Sequence, residues 1–330
     1  IKAKNERQAY LLGNGMSHTF DMSNCAYWNI EGLYGRNVDS EIQAPAATGM
    51  VFNISNSNHL TIKRLLAVHP NRNCVPLDSI GVCNTHGLAV TWSNHVLVEE
   101  VEVYNPLPRR HGISLYQSDY MVVRRSYVYN AEGSDVAGAA AVMYGSYYNV
   151  FENVISEGMP LHKIGAGAHH RMVGSIVKNV DALDPMNGIV AGANRYGGDE
   201  RELRDFVLRN MVLLGSYAGG LILNSGVEVG VENMTVIRAG QGESGRGIGL
   251  GESEIPCYDI LPERECQFTL TNMLVLDSPR NGLEVEAISP PINWLVEYSN
   301  VFNSGGANYP TGETIGDTFG NIRYSLSQSV

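Results

Sequence analysis

An all-β solenoid, a right-handed parallel β-helix of about ten coils, is the fold class that this sequence predicts, and three observations carry the prediction. A short pattern recurs about every 25 residues: GISLYQSDYMVVRRSYVYN at residues 112–130 overlays GLAVTWSNHVLVEEVEVYN at residues 87–105 without a gap. No segment keeps apolar residues at i, i+3, i+4 and i+7, which excludes stacked helices. Asparagines and aromatic residues recur at fixed places within the pattern, as they do when coils stack in register.

Each repeat opens with Gly or a small residue and an apolar-x-apolar triplet. A polar turn, a second apolar stretch, a polar or charged bend and a third apolar-x-apolar follow. Instances begin near Phe20, Gly49, Gly87, Gly112, Ala140, Gly165, Gly188, Gly220, Gly247 and Gly282. Alternation over such short spans gives three strands per coil, one to each of three parallel sheets. Coils stacked about 4.8 Å apart make a rod of roughly 45 Å. The bend position reads Asn153, Asn179, Asn210, Asn233, Asn272 and Asn300 in the later coils, an asparagine ladder. Asn tolerates the left-handed backbone of a sharp bend, and its amide both donates and accepts along a stack. Earlier coils put Gly32, Arg64, Glu100 and Arg125 there. A second column, Tyr27, His59, His95, Tyr120 and Tyr148, predicts an aromatic stack in which the histidines share a position with tyrosines and are structural. Residues 1–303 form the solenoid on this reading, and the polar, Gly-rich stretch 304–330 is a carboxy-terminal tail.

Four of the five cysteines form two pairs of equal spacing, Cys74 with Cys83 and Cys257 with Cys266, each around a Pro-containing polar stretch. Disulfides tying off protruding loops are expected, and they favour an extracellular, cell-surface or periplasmic setting. Unrelated thiols or a zinc site are the alternatives, although neither stretch holds a CxxC or a nearby His pair. Cys25, with no local partner, is expected as a buried thiol. No apolar run is long enough to cross a bilayer as a helix. The opening on Ile1 is read as a mature or trimmed start.

With ten coils and an asparagine column, the chain resembles the pectate-lyase-like superfamily of right-handed β-helix proteins. The opening IKAKNERQAYLLGNG and the following FDMSNCAYWNIEGLYGRNVDS resemble the first coils of polysaccharide lyases and related bacterial β-helix proteins. The resemblance implies an amino-terminal cap beyond this chain, and a substrate groove along the strand that begins at each small residue named above. It also implies acidic polysaccharides as substrates. The superfamily's catalytic motifs are incomplete here. There is no Asp-Asp pair or Gly-His-Gly, Asp184-Pro185 is followed by Met186, and Arg110-His111-Gly112 matches only one fragment of an alginate-lyase set.

Charge narrows the place. The net charge of −11 argues against nucleic acid as a partner. Residues 109–171 nevertheless hold six Lys/Arg, five Asp/Glu and four of the nine His, against nine Arg and twenty Asp/Glu over 181–330. The middle coils are where a polyanion is least repelled. A lyase needs a cation to neutralise the uronate carboxylate, a base for the adjacent C–H proton and an acid for the leaving oxygen. Those coils supply Lys163 and His111 as candidate bases, Arg110 as neutraliser and Asp135 as orienter. Arg109, His162, His86, His170 and Arg171 are candidate substrate contacts. No cofactor is required on this reading, with Ca2+ left open. The competing function is a non-catalytic rod for adhesion, display or end-to-end or lateral self-association, since turns on a rod are ordinarily solvated surface.

Overall fold

The computed structural model describes residues 1–13, 18–36, 50–68, 86–104, 111–130, 139–163, 167–179, 187–192, 194–196, 199–201, 203–224, 226–242, 245–250, 266–285, 292–302 and 319–323. Every regular element among them is a strand. Phe20–Ser23, Phe52–Ser55, Leu88–Thr91, Ile113–Tyr116 and Ala141–Tyr144 pair side by side, all parallel. His162–Lys163, Asn187–Ala191, Gly219–Leu223, Arg246–Leu250 and Asn281–Val285 continue this first sheet in the later coils. The Ala141 N–H donates to the Leu161 carbonyl at 2.8 Å and joins the two parts. A second sheet runs from Asn29–Glu31 through Asn94–Glu99 and Val150–Glu152 to Ile292–Glu297. A third runs from Ala9–Leu12 through Glu102–Tyr104 to Asn300–Phe302. Strands Leu203–Ser216 and Val227–Ala239 run unbroken through the bend between the second and third sheets. The architecture is the parallel β-helix, with the right hand that parallel crossovers take.

The core is what strand alternation dictates. Inward rows such as Val103, Val128, Val177, Leu213, Val236 and Val275 are fully buried, and Phe52, Phe151, Phe206 and Phe268 fill the axis. The small residue that opens each coil has a steric cause. A Cβ at Gly112 would lie 2.5 Å from Val128 Cγ1 and 2.8 Å from the Ala140 carbonyl oxygen, and one at Gly87 would lie 2.4 Å from Val103 Cγ1. The first sheet enters the coil against the third sheet's valines, and there is no room for a side chain.

The aromatic column stacks as expected. Ring centroids are 4.8 Å apart for Tyr27 and His59, 4.8 Å for His59 and His95, and 4.9 Å for His95 and Tyr120 and for Tyr120 and Tyr148. It then extends one coil further, to His169, whose Nδ1 lies 2.6 Å from Asp205 Oδ2. All of these residues sit at positive φ, from 51° to 61°. Their rings cap a left-handed corner at which each coil turns from the first sheet into the second.

The asparagine column differs from the expectation in two members. Asn233 Nδ2 donates to Asn210 Oδ1 at 3.0 Å, and Asn272 Nδ2 to Asn233 Oδ1 at 2.6 Å. Asn153 occupies the same bend at φ 53°. Asn179, however, is buried at the end of the third sheet, where its N–H donates to the Leu214 carbonyl. Asn300 begins a third-sheet strand opposite Leu274. Gly174 and Tyr298 take the bend in those coils, at φ 65° and 50°. A glycine meets the same backbone demand without a side chain, so the pattern slips to the next asparagine.

Two further features were not anticipated. Asn194–Tyr196 and Asp199–Arg201 form an antiparallel ribbon outside the coil pattern. Phe319–Arg323, inside the stretch read as a tail, pairs in parallel with residues 293–297 of the second sheet. Cys74, Cys83 and Cys257 lie outside the described residues, and of Cys266 only the backbone, opening a second-sheet strand, is described. Cys25 is a free thiol, half-buried rather than buried, its Sγ 3.2 Å from the Ser23 carbonyl oxygen.

Candidate functional site

Two rows of the first sheet alternate with those that fill the core; Asp21 and Ser23 in them are exposed, whereas Ala89, Ser114, Val190 and Ile222 are buried. One reads Asp21, Asn53, Ala89, Ser114, Val142, Lys163, Val190, Ile222, Gly249 and Glu284 through the successive coils. The other reads Ser23, Ser55, Thr91, Tyr116 and Tyr144. In the first coils this face is small, polar and close to neutral. Asn53 Nδ2 donates to Asp21 Oδ1 at 2.8 Å. Among the described residues of the longer row, Lys163 is the one cation, and it stands in the middle.

His162 and Lys163 form one short strand of the first sheet, placed by backbone register opposite Ile189 and Val190. By register Lys163 falls in the row of Val190 and His162 in the row of Ile189, and both of those partners are buried. His86 and His111 enter the same sheet in adjacent coils, three and two coils from Lys163, or about 14 and 10 Å along the axis. Their rings stack at 5.2 Å and 8°, and both residues are buried. His86 Nδ1 accepts the His111 backbone N–H at 3.3 Å, and His111 Nδ1 accepts that of Ala139 at 3.1 Å. His18 does the same for Met50. In each ring Nδ1 is thus the acceptor nitrogen, which makes Nε2 the one that carries the ring hydrogen.

The remaining candidates separate. His170 is fully buried, its Nδ1 accepting the Asn149 N–H and its ring edge-on to Phe206, and does not face the groove. Arg171 is exposed on the second sheet, in the row of Val150 and Val207, and so on a different face from Lys163. Arg109, Arg110 and Asp135 lie outside the described residues. No group of three or more His, Cys, Asp or Glu that could hold a metal ion occurs among the described residues.

Sequence reading missed a charge ladder on the second sheet. Glu31, Lys63, Glu99, Arg124 and Glu152 occupy one outward row in consecutive coils, alternating in sign. Lys63 Nζ and Arg124 Nε each lie 2.7 Å from the buried Glu99 carboxylate, and Arg125 reaches it from the bend. Lys63, then Arg124, hold the Glu99 carboxyl down at about 2 against the opposing effect of burial. On the third sheet, burial and the Glu157 carboxylate, which accepts its hydroxyl at 3.0 Å, push Tyr127 above the usual phenol range. The signal for the charge ladder was the residue before each bend, whose sign alternates once the coils are aligned.

Also missed was Trp92, at the corner where the first sheet ends. It is 54% exposed, its indole N–H donates to Gln117 Oε1, and its ring meets Tyr116 edge-on at 5.8 Å.

No family model and no curated protein matches the sequence. Among solved structures, the chain is similar to the catalytic unit of a thermostable GH87 alpha-1,3-glucanase from Streptomyces thermodiastaticus strain HF3-3, at 12% identity and a TM-score of 0.49 over 92% of this chain and 56% of that one. It is also similar to an endo-xylogalacturonan hydrolase from Aspergillus tubingensis, at 11% identity and 0.41 over 96% and 80%. A third is the enzymatically active domain of Bacteriophage CBA120 tailspike protein 2, at 10% identity and 0.44 over 93% and 45%. The chain spans 63% of the length of a further GH87 alpha-1,3-glucanase catalytic domain. Its own strand pairing and stacked corner columns establish the architecture as a parallel β-helix.

Proposed function

We propose that this β-helix acts on a polysaccharide laid along its first sheet, and that it cleaves a uronate-containing chain by β-elimination with Lys163 as the base. The observation that carries the reading is the register position of Lys163, the one cation among the described members of a first-sheet row whose two carboxylates, Asp21 and Glu284, stand at its ends. A neutral lysine takes the C5 proton, the electron pair forms the C4=C5 double bond, and the C4–O bond breaks with protonation of the leaving oxygen. Arg110 and Arg109 neutralise the carboxylate that acidifies the C–H, and Asp135 orients them. Lys163 is favoured over His111 because the Nδ1 lone pair of His111 already accepts the Ala139 N–H.

Elimination is favoured over hydrolysis on this face by distance. Glycoside hydrolysis commonly uses two carboxylates about 5–10 Å apart, whereas the two carboxylates among the described members of this row, Asp21 and Glu284, stand at its opposite ends, about 40 Å apart by coil spacing. Acidic polysaccharide is the partner on this reading, and an extracellular or cell-surface location accompanies it. A second reading, a rod that binds carbohydrate without cleaving it, is supported by the exposed indole of Trp92.

The test is the ultraviolet absorbance of unsaturated uronate released from alginate, pectate, glycosaminoglycans and ulvan, with and without Ca2+, for the protein and for Lys163→Ala. A rise that the variant loses by at least 100-fold is expected. New reducing ends without the absorbance would establish a hydrolase instead, and silence in both assays would favour the non-catalytic rod.

A further inference from the structure

We infer that Trp92 is a sugar-stacking platform, a binding subsite for the apolar face of a pyranose ring at the edge of the first sheet. The corner that turns the first sheet toward the second repeats a left-handed residue in each of the first coils: Asn24 at φ 55°, Asn56 at 48°, Trp92 at 48°, Gln117 at 47° and Gly145 at 56°. Asn and Gly adopt this conformation readily, whereas a bulky aromatic does so at a cost. Trp92 thus takes a conformation that Asn24, Asn56 and Gly145 in the same column meet with cheaper residues, and it recovers little by burial. An indole that is both strained and exposed calls for a function outside the fold.

The ring is also fixed in place. The bond from its N–H to Gln117 Oε1 and the edge-on contact with Tyr116 at 5.8 Å hold it from the next coil. An aromatic immobilised before binding loses little entropy when a ligand stacks on it. Polar groups that a sugar's hydroxyls need are adjacent. Asn56 is exposed in the preceding coil of the same column, and Thr91 precedes Trp92 in the row of Ser23 and Ser55. The neighbouring aromatic column offers no such face, because Tyr27, His59, His95, Tyr120 and Tyr148 cover one another ring to ring. A coil rises about as much as one sugar unit in an extended chain, about 4.8 Å. The strand that carries Lys163 lies three coils from that of Trp92, or about 14 Å along the axis.

The inference rests on the reading of the chain as a polysaccharide-binding protein, and the experiment separates the two. Mobility in native gels containing alginate, pectate or ulvan is compared for the Lys163→Ala protein, which does not turn over its ligand, and the same protein carrying Trp92→Asn. Asn is the residue found at the same corner in the preceding coil, so the substitution removes the indole and suits the backbone. We expect the apparent Kd to rise about tenfold, with a thermal midpoint unchanged or higher. An affinity within twofold of the parent, or a midpoint several degrees lower, would overturn the platform while leaving polysaccharide binding intact. No retardation of the parent protein by any of the polymers would overturn both.

Discussion

Glu99 shows how a single carboxylate ties several coils together. Its partners come from strands on either side, Lys63 from the preceding coil and Arg124 from the next, so their bonds cross the stacking direction. Because its folded value of about 2 lies below the ordinary carboxylate value, its contribution is fully present above about pH 5 and is lost as pH falls toward 2. Glu99→Gln is expected to lower stability by about 2–3 kcal/mol at pH 7, with the difference from the native protein closing between pH 5 and 2 in denaturant titrations. Gly112 poses the opposite problem, a position where matter cannot be added. Gly112→Ala is expected to cost about 2–3 kcal/mol, because the new methyl meets Val128 Cγ1 and the Ala140 carbonyl. The chain contains its own control. Gly87 and Gly112 face Val103 and Val128, while at the same offset in the next coil Ala140 precedes Ser156. Adding Val128→Ser to Gly112→Ala should recover part of the loss, read as coupling in a double-mutant cycle.

At the scale of the elements, corners rather than strands set the register. Asn233 accepts from Asn272 and donates to Asn210, so Asn233→Ala removes two side-chain bonds and leaves a Cβ-bearing residue at φ 54° without the local bonding that Asn offers. A loss of about 1–2 kcal/mol is expected, measured as a shift in the denaturation midpoint, and less for Asn233→Gly, which suits the bend. These corners also explain what the sequence made legible. The aromatic column could be read because every coil from Tyr27 to Tyr148 keeps a ring at that bend. The asparagine column was misread at Asn179 and Asn300 because Gly174 and Tyr298 satisfy the same backbone demand with different chemistry. The charge ladder escaped notice because Glu31, Lys63, Glu99, Arg124 and Glu152 look like scattered surface charge until pairing sets them side by side.

For the whole molecule, a solenoid in which each coil touches only its neighbours separates fold from chemistry. Periodicity and corner residues dictate the rod, and they recur in every coil. Reactive groups are single residues that need not recur, so no period reveals them. Hence His170, singled out by sequence, proved to be interior, and Arg171 faces another sheet, while Trp92 was passed over as one more apolar letter at a turn. Lys163 is proposed on its register position, in the first-sheet row that runs from Asp21 to Glu284. The most direct test of this account is the absorbance of unsaturated uronate on the polysaccharide panel, with native protein beside Lys163→Ala. The account predicts product from the native protein on at least one uronate polymer and at least 100-fold less from the variant. Equal product from both would contradict the assignment of Lys163, and no product from either would contradict elimination as the function.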